Sequence, residues 1–282
     1  MIKIEKPMDE VEEVLASCTS NMHNNKKNNF LKDRVLQNKD IIIKYTQEFE
    51  NKVIQNKVYE LKEHTKVGEN VDKEEMIKIY ENGMVGSKLG RIYYDKILAL
   101  APRGICPLCN KRVSNTLDHY LPKAKFPTLA ISPINLVPAC SDCNKDKLAE
   151  SSSSMETQPI HPYFDNIDNE EWLFATIEQD EKIMVNYYVK KPESWDEILY
   201  KRVCNHMEIL GLNSLYGKSA GLEMADMRFF FNQTYNVNGV EGVKKIIRSM
   251  ITSFSVNNKN SWRIALYREM YNNEWFLNKF IV

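Results

Sequence analysis

The residues best able to do chemistry lie in one short stretch. Asp118 and His119 are adjacent, Asn135 follows in Asn135-Leu136-Val137-Pro138, and Asn144 follows directly after Cys143. The side-chain oxygens of an aspartate and an asparagine make a small, hard donor set suited to Mg²⁺, with water and a phosphate completing the shell. A histidine beside them can act as a general base on water. An ion there would stabilise charge on a scissile phosphate and on the leaving oxygen. Together these residue types suffice for phosphodiester hydrolysis.

Two C-x-x-C knuckles bracket this stretch: Cys106-Pro-Leu-Cys109 and Cys140-Ser-Asp-Cys143. Each turn lets two thiolates face one point, and two turns complete a tetrahedral S4 site suited to zinc. With all four positions filled by protein, such a site is structural, and it can supply much of the folding energy of a small module. A redox pair would need only one such motif. The remaining cysteines, Cys18 and Cys204, stand alone in helix-like segments and read as small buried hydrophobes.

Together, C-P-x-C, Leu117-Asp118-His119-Tyr120-Leu121-Pro122-Lys123 and N-L-V-P-x-C-x-x-C-N-x-x-K resemble the HNH endonuclease family over about residues 103 to 149. The resemblance implies a ββα-metal site braced by zinc on Cys106, Cys109, Cys140 and Cys143. It also implies His119 as general base, Asp118 as metal ligand and Asn135 as the residue that positions the catalytic loop. Asn144 matches the last letter of the family name, where many members carry His. That substitution leaves an oxygen donor and favours Mg²⁺ or Mn²⁺ over a softer ion. Hydrolysis of DNA with a 3′ oxygen as leaving group is what the resemblance implies. The longer string through Lys147, followed by His161-Pro162-Tyr163, is similar to a bacterial subgroup found beside ATPases in antiphage defence systems such as Septu. An ATPase is therefore an expected partner besides DNA.

Other side chains could assist. Lys123, Lys125 and Lys147 are candidates for nucleic-acid backbone contacts. His161 could support the site or brace it, whereas His23, His64 and His206 read as structural or exposed in helical surroundings. Residues 101 to 150 carry seven basic and four acidic side chains, a local excess of +3. That excess matters because the whole chain, with 38 basic and 38 acidic residues, is neutral. Two rival readings stay open: a zinc-dependent binding module for nucleic acid or protein without catalysis, and a nuclease acting on RNA.

The elements that must position these residues can be outlined from periodicity. The pattern implies a mainly helical α+β protein in three portions: a helical segment over 1–100, the zinc-knuckle module over 101–165, and a β-hairpin with helices over 166–282. In the first portion, Leu31, Val35, Ile42, Tyr45, Phe49, Val53 and Ile54 recur at helical spacing. A polar loop or a frayed helix start is expected over Asn21 to Asn29, a break at Val67 to Asn70, and helices after Asp72 and from Lys88 to Leu100. Pro102, Arg103 and Gly104 end the last of these.

In the module, strands are expected near 113–120 and 129–134, a helix near 141–149, and an exit at Ser151 to Ser154. Trp172 to Ile177 and Lys182 to Val189 read as a hairpin turning at Gln179-Asp180-Glu181. The remainder reads as helix with breaks near Gly211, Gly217 and Gly239. Leu222, Ala225, Phe229 and Phe230 read as a core stripe, as do Trp262, Leu266, Met270 and Trp275. No apolar run is long enough to span a bilayer and no secretory signal is legible, so a cytoplasmic location is expected.

Overall fold

The computed structural model describes residues 1–147, 152–179, 183–256 and 258–282. The chain divides into two compact units, one of residues 3–166 and one of residues 1–2 with 167–282. The fold is mainly helical α+β, with small two-stranded sheets and a cluster of four cysteines. No helix among the described residues is long and apolar enough to cross a membrane.

The first unit begins with α1 (Val11–Thr19), α2 (Leu31–Gln37) and α3 (Lys39–Ile54). The periodic stretch from Leu31 to Ile54 is thus two helices meeting at Asn38. The break at Gly68 is a tight hairpin between β1 (Lys66–Val67) and β2 (Val71–Asp72). Gly68 sits at φ +57°, and a Cβ there would run into the Asn38 amide. Asp72 then opens α4 (Lys73–Lys78) with a capping box closed by Glu75, whose carboxylate also takes both arms of Arg34 at 2.9 and 2.5 Å.

Beyond α4 the helix widens into a π turn over Ile79–Val85, then restarts at Ser87, which caps α5 (Lys88–Leu98). Two glycines let these pieces close. A Cβ on Gly90 would lie 2.0 Å from the Gly83 carbonyl, and one on Gly83 would lie 2.6 Å from the Cys18 carbonyl. Val14, Leu15, Val35, Ile42, Met76, Ile79, Met84 and Ile97 from these helices share one buried cluster with Leu117, Ala130, Ile131 and Leu136. The stretch with the chemistry therefore folds onto the helical portion as part of the same core.

That stretch forms β3 (Thr116–His119) and β4 (Leu136–Ala139), an antiparallel pair with Asp118 opposite Val137 and His119 opposite Leu136, followed by α6 (Ser141–Asp146). The second strand lies later than expected. Residues 129–134 are not a strand, because Pro127 and Pro133 each start a 3-10 turn across that region. Proline fixes φ and lacks the N–H a ladder needs, and the apolar run reads as strand only because it is buried on every side. The expected helix end at 148–149 and residue 151 of the exit lie outside the described residues.

In the other unit, β5 (Leu173–Gln179) and β6 (Ile183–Val189) pair antiparallel from Leu173↔Val189 to Gln179↔Ile183. Residues 180 and 181 of the expected turn lie outside the described residues. After α7 (Glu197–Ile209), α8 (Leu212–Ser255) and α9 (Trp262–Asn272) pack on the hairpin. Gly211 and Gly239 break the helix as expected, at φ +56° and +62°. Gly217 does not: α8 runs through it, and its missing side chain lets the Val185 carbonyl of β6 approach to within 2.6 Å of where a Cβ would stand.

The stripe of Leu222, Ala225, Phe229 and Phe230 is also corrected. Leu222 is 70% exposed and Phe229 73%, while Leu212, Tyr216, Ala220, Met224 and Phe231 face the hairpin and α9. The helix carries two apolar stripes at helical period, and the glycine contact decides which one is buried. Trp262, Leu266 and Met270 are core, and Trp275 is half-buried.

Candidate metal centre and polar site

The four knuckle cysteines are buried, and their sulfurs all lie within 4.8 Å of one another. Cys109 Sγ and Cys140 Sγ are 4.0 Å apart. A tetrahedral ion with about 2.3 Å metal–sulfur bonds would set its sulfurs about 3.8 Å apart. The donor set can thus hold a metal ion such as zinc.

Local structure explains the convergence. The Asn110 N–H donates to the Cys106 carbonyl at 2.8 Å, with Asn110 at φ +49°, a left-handed turn that asparagine tolerates. The Arg112 N–H points at Cys109 Sγ (3.5 Å) and the Cys143 N–H at Cys140 Sγ (3.4 Å), so backbone dipoles favour thiolates in both knuckles. Cys140 is at once a ligand candidate and the N-cap of α6. Arg112 ties the first knuckle to that helix through Asp142 at 2.9 Å.

Next to this cluster, Lys147 at the C-terminal end of α6 reaches Asp118 and the backbone of His119 on β3. The Lys147 ammonium donates to Asp118 Oδ2 at 2.6 Å and to the His119 carbonyl at 2.9 Å. Both side chains are nearly dry, 10% and 8% exposed. Burial pushes the Asp118 carboxyl above its usual range, and Lys147 works against that rise. Lys147 therefore neutralises a carboxylate rather than standing free to meet a phosphate.

His119 is also buried, and its Nε2 lies 2.8 Å from the Ala130 carbonyl. A carbonyl can only accept, so Nε2 carries the proton and the neutral ring keeps its lone pair on Nδ1. Burial first, then the charge of Lys123, pushes the imidazole down to about 3, so the ring is uncharged near neutral pH.

Asn135 is fully buried and holds the segment between the strands. Its Oδ1 accepts from Leu121 N–H at 2.8 Å, and its Nδ2 donates to the carbonyls of Leu121 (3.0 Å) and Leu129 (3.2 Å). Its own carbonyl accepts from Tyr120 N–H at 2.7 Å. Asn144 is exposed on α6, with Nδ2 3.4 Å from Thr116 Oγ1. Thr116 and Asp118 alternate along β3 and so share a face, which puts Asn144 on the Asp118 side of the hairpin.

The remaining candidates divide. Lys123 Nζ lies 5.2 Å from the centre of the Tyr80 ring. Lys125 is turned to Glu63 at 3.0 Å, away from a role as an unengaged phosphate contact. His161 is fully buried, with Nε2 3.2 Å from the Ile134 carbonyl and its ring 4.2 Å from that of Tyr120. It braces the inter-strand segment and is closed to solvent. Among the histidines expected in helical surroundings, His64 sits instead in a loop, with Nε2 2.7 Å from Thr128 Oγ1, and His23 also lies in irregular chain. His206 is buried on α7.

Sequence reasoning passed over Tyr80. Its ring packs edge-to-face on His119 at 4.5 Å, although the two stand 39 positions apart in the chain. Only the wide spacing of the π turn marks it, and sequence periodicity does not reveal such a turn.

No protein-family model matches the chain, and no solved structure matches it. Among curated proteins, the chain is 30% identical over 177 residues to protein ea31 of Escherichia phage lambda. The match takes in 61% of this chain and 60% of the phage protein, so the chain spans well under two thirds of that relative.

Proposed function

We propose that this protein is a metal-dependent endonuclease of the HNH type, hydrolysing phosphodiester bonds in DNA. The observation that carries the reading is His119: a neutral imidazole with its tautomer set by Ala130, beside a buried carboxylate, on a hairpin-plus-helix framed by four converging cysteines. A module that only binds has no use for a lone pair held in this way.

Zinc on Cys106, Cys109, Cys140 and Cys143 is the structural ion in this reading. Asp118 and Asn144 would hold a catalytic Mg²⁺ or Mn²⁺. The donors fit such an ion: the dry Asp118 carboxylate already takes a cation in Lys147, and Asn144 offers its amide on the same side of β3. When bound, that ion supplies charge stabilisation at the phosphate and at the leaving 3′ oxygen.

The chain's own residues supply the rest. His119 Nδ1 accepts the proton of the attacking water. Asn135 holds the segment that carries Ala130, and through it the ring. A phosphodiester entering the site brings negative charge, offsets Lys123 and Lys147, and restores part of the proton affinity that burial first, and then their field, has lowered. Lys123 is the cation best placed to meet that phosphate. The choice of DNA over RNA rests on the family resemblance, because both offer the same bond.

The same resemblance supports a role as nuclease effector in a bacterial antiphage defence system with an ATPase partner. The string from Leu117 to Lys147, followed by His161-Pro162-Tyr163, supports that extension.

The test is cleavage of supercoiled plasmid with Mg²⁺ or Mn²⁺, run beside His119→Ala. Ion-dependent nicking that disappears in the variant establishes the nuclease and its base together. Zinc-loaded, folded protein that binds DNA without cutting it would favour the binding-module reading, and cutting of RNA alone would move the substrate.

A further inference from the structure

We infer that Tyr80 is a positioning residue of this site, delivered by the helical portion to hold the His119 imidazole and the Lys123 ammonium in register. The inference rests on the nuclease reading and adds a residue outside the stretch that resembles the family.

Three observations converge. The Tyr80 ring meets the His119 ring at 4.5 Å and 69°, an edge-to-face contact that restrains the imidazole about the axis its Ala130 hydrogen bond leaves soft. The Lys123 ammonium lies over the same Tyr80 ring at 5.2 Å, so one aromatic surface sets the distance between a base and a cation. Finally, Tyr80 stands in the π turn Ile79–Val85, and π turns recur at functional sites because they re-aim side chains that an α-helix would place elsewhere.

The turn itself cannot drift. Gly83 is pressed on the Cys18 carbonyl and Gly90 on the Gly83 carbonyl, both closer than any side chain allows. Ile79 and Met84 anchor it in the core cluster. Tyr80 is 7% exposed, and its hydroxyl is pushed above the range of a free tyrosine by burial, with Tyr94 and Asp118 adding to the rise. The ring, rather than an ionised hydroxyl, is what the site uses. Phenylalanine should therefore replace it and leucine should not.

The experiment compares wild type, Tyr80→Phe, Tyr80→Leu, Val35→Ala and His119→Ala, each zinc-loaded and checked for a cooperative melt. Val35→Ala trims the same core cluster from α2, outside the π turn. Plasmid nicking gives kcat and KM, and ¹⁵N-histidine spectra follow the imidazole Nε2–H of His119, assigned by its loss in His119→Ala. We expect kcat of Tyr80→Leu to fall roughly 10- to 100-fold with KM within about twofold of wild type, the scale of a misplaced reacting group. Tyr80→Phe and Val35→Ala should keep kcat. The Nε2–H signal should move or broaden in Tyr80→Leu alone.

A wild-type kcat in Tyr80→Leu, or an equal loss in Val35→Ala, overturns the positioning role. Wild-type protein that does not cut, or cutting that survives His119→Ala, overturns the nuclease reading instead. In that event the imidazole signal still decides the contact: an unmoved signal in Tyr80→Leu removes the positioning role as well.

Discussion

At the scale of single residues, the site is a set of buried polar groups that each need a named partner. Asp118 is the clearest. Its carboxylate is almost dry and Lys147 is the cation on it. Lys147→Ala would leave that charge buried and unanswered, a change that costs about 3 kcal/mol or more. If Asp118 is an ion ligand, Mg²⁺ or Mn²⁺ should restore part of the lost stability in Lys147→Ala, and thermal melts with and without the ion check this. No recovery at millimolar ion would remove Asp118 from the ligand set. Asn135 makes a second case. Asn135→Asp replaces an amide donating to two carbonyls with an acceptor facing them. It should destabilise by about 3 kcal/mol in urea unfolding and, on the proposed nuclease reading, stop plasmid nicking while bound zinc stays at the wild-type level.

At the scale of elements, a glycine and a capping glutamate show how context sets the sign of an effect. Helix propensity alone says that Gly217→Ala should stabilise α8 by up to about 1 kcal/mol. The structure says the opposite, because the new methyl meets the Val185 carbonyl at 2.6 Å and a backbone oxygen in a paired strand cannot step aside. The expected result is a loss of about 1–3 kcal/mol in chemical denaturation.

Glu75 closes the α4 capping box and takes Arg34 on both oxygens. The Arg34 hydrogen bonds hold its carboxyl below the usual range. A depressed folded-state value means the carboxylate contributes stability above the unfolded-state value and loses it as pH falls through the folded one. The expectation is that Glu75→Gln lowers stability near neutral pH by about 1 kcal/mol and that the gap from wild type closes on acidification. Melts taken from neutral pH down to below the ordinary carboxylate range would show whether the curves converge.

At the scale of the whole molecule, the unit of residues 3–166 holds the core cluster, the four cysteines and every candidate site residue. A zinc chelator should therefore act on the helical portion as well as on the knuckles, since Leu117 and Leu136 of the hairpin share a core with Val14, Ile42 and Ile97. Chelation is expected to abolish a single cooperative transition of a chain of residues 3–166. Hydrogen exchange would rise in α1 and α5 together with β3 and β4. Helices that stay protected while the hairpin opens would show that the two fold separately.

The sequence alone determined the local items. Two C-x-x-C turns, the Asp118-His119 pair and the helix breaks at Gly211 and Gly239 are set by chemistry within a few residues of each position. The tertiary structure decided what depends on which face meets which neighbour. It moved the second strand from 129–134 to Leu136–Ala139, since burial on all sides hides the alternation that marks a strand. It turned Leu222 and Phe229 outward, since two apolar stripes share one helix and only packing chooses between them. It set Lys147 on Asp118, buried His161 and brought Tyr80 to His119. Such pairings join residues up to tens of positions apart. Free energy of burial selects them, and it acts on the folded surface rather than along the chain.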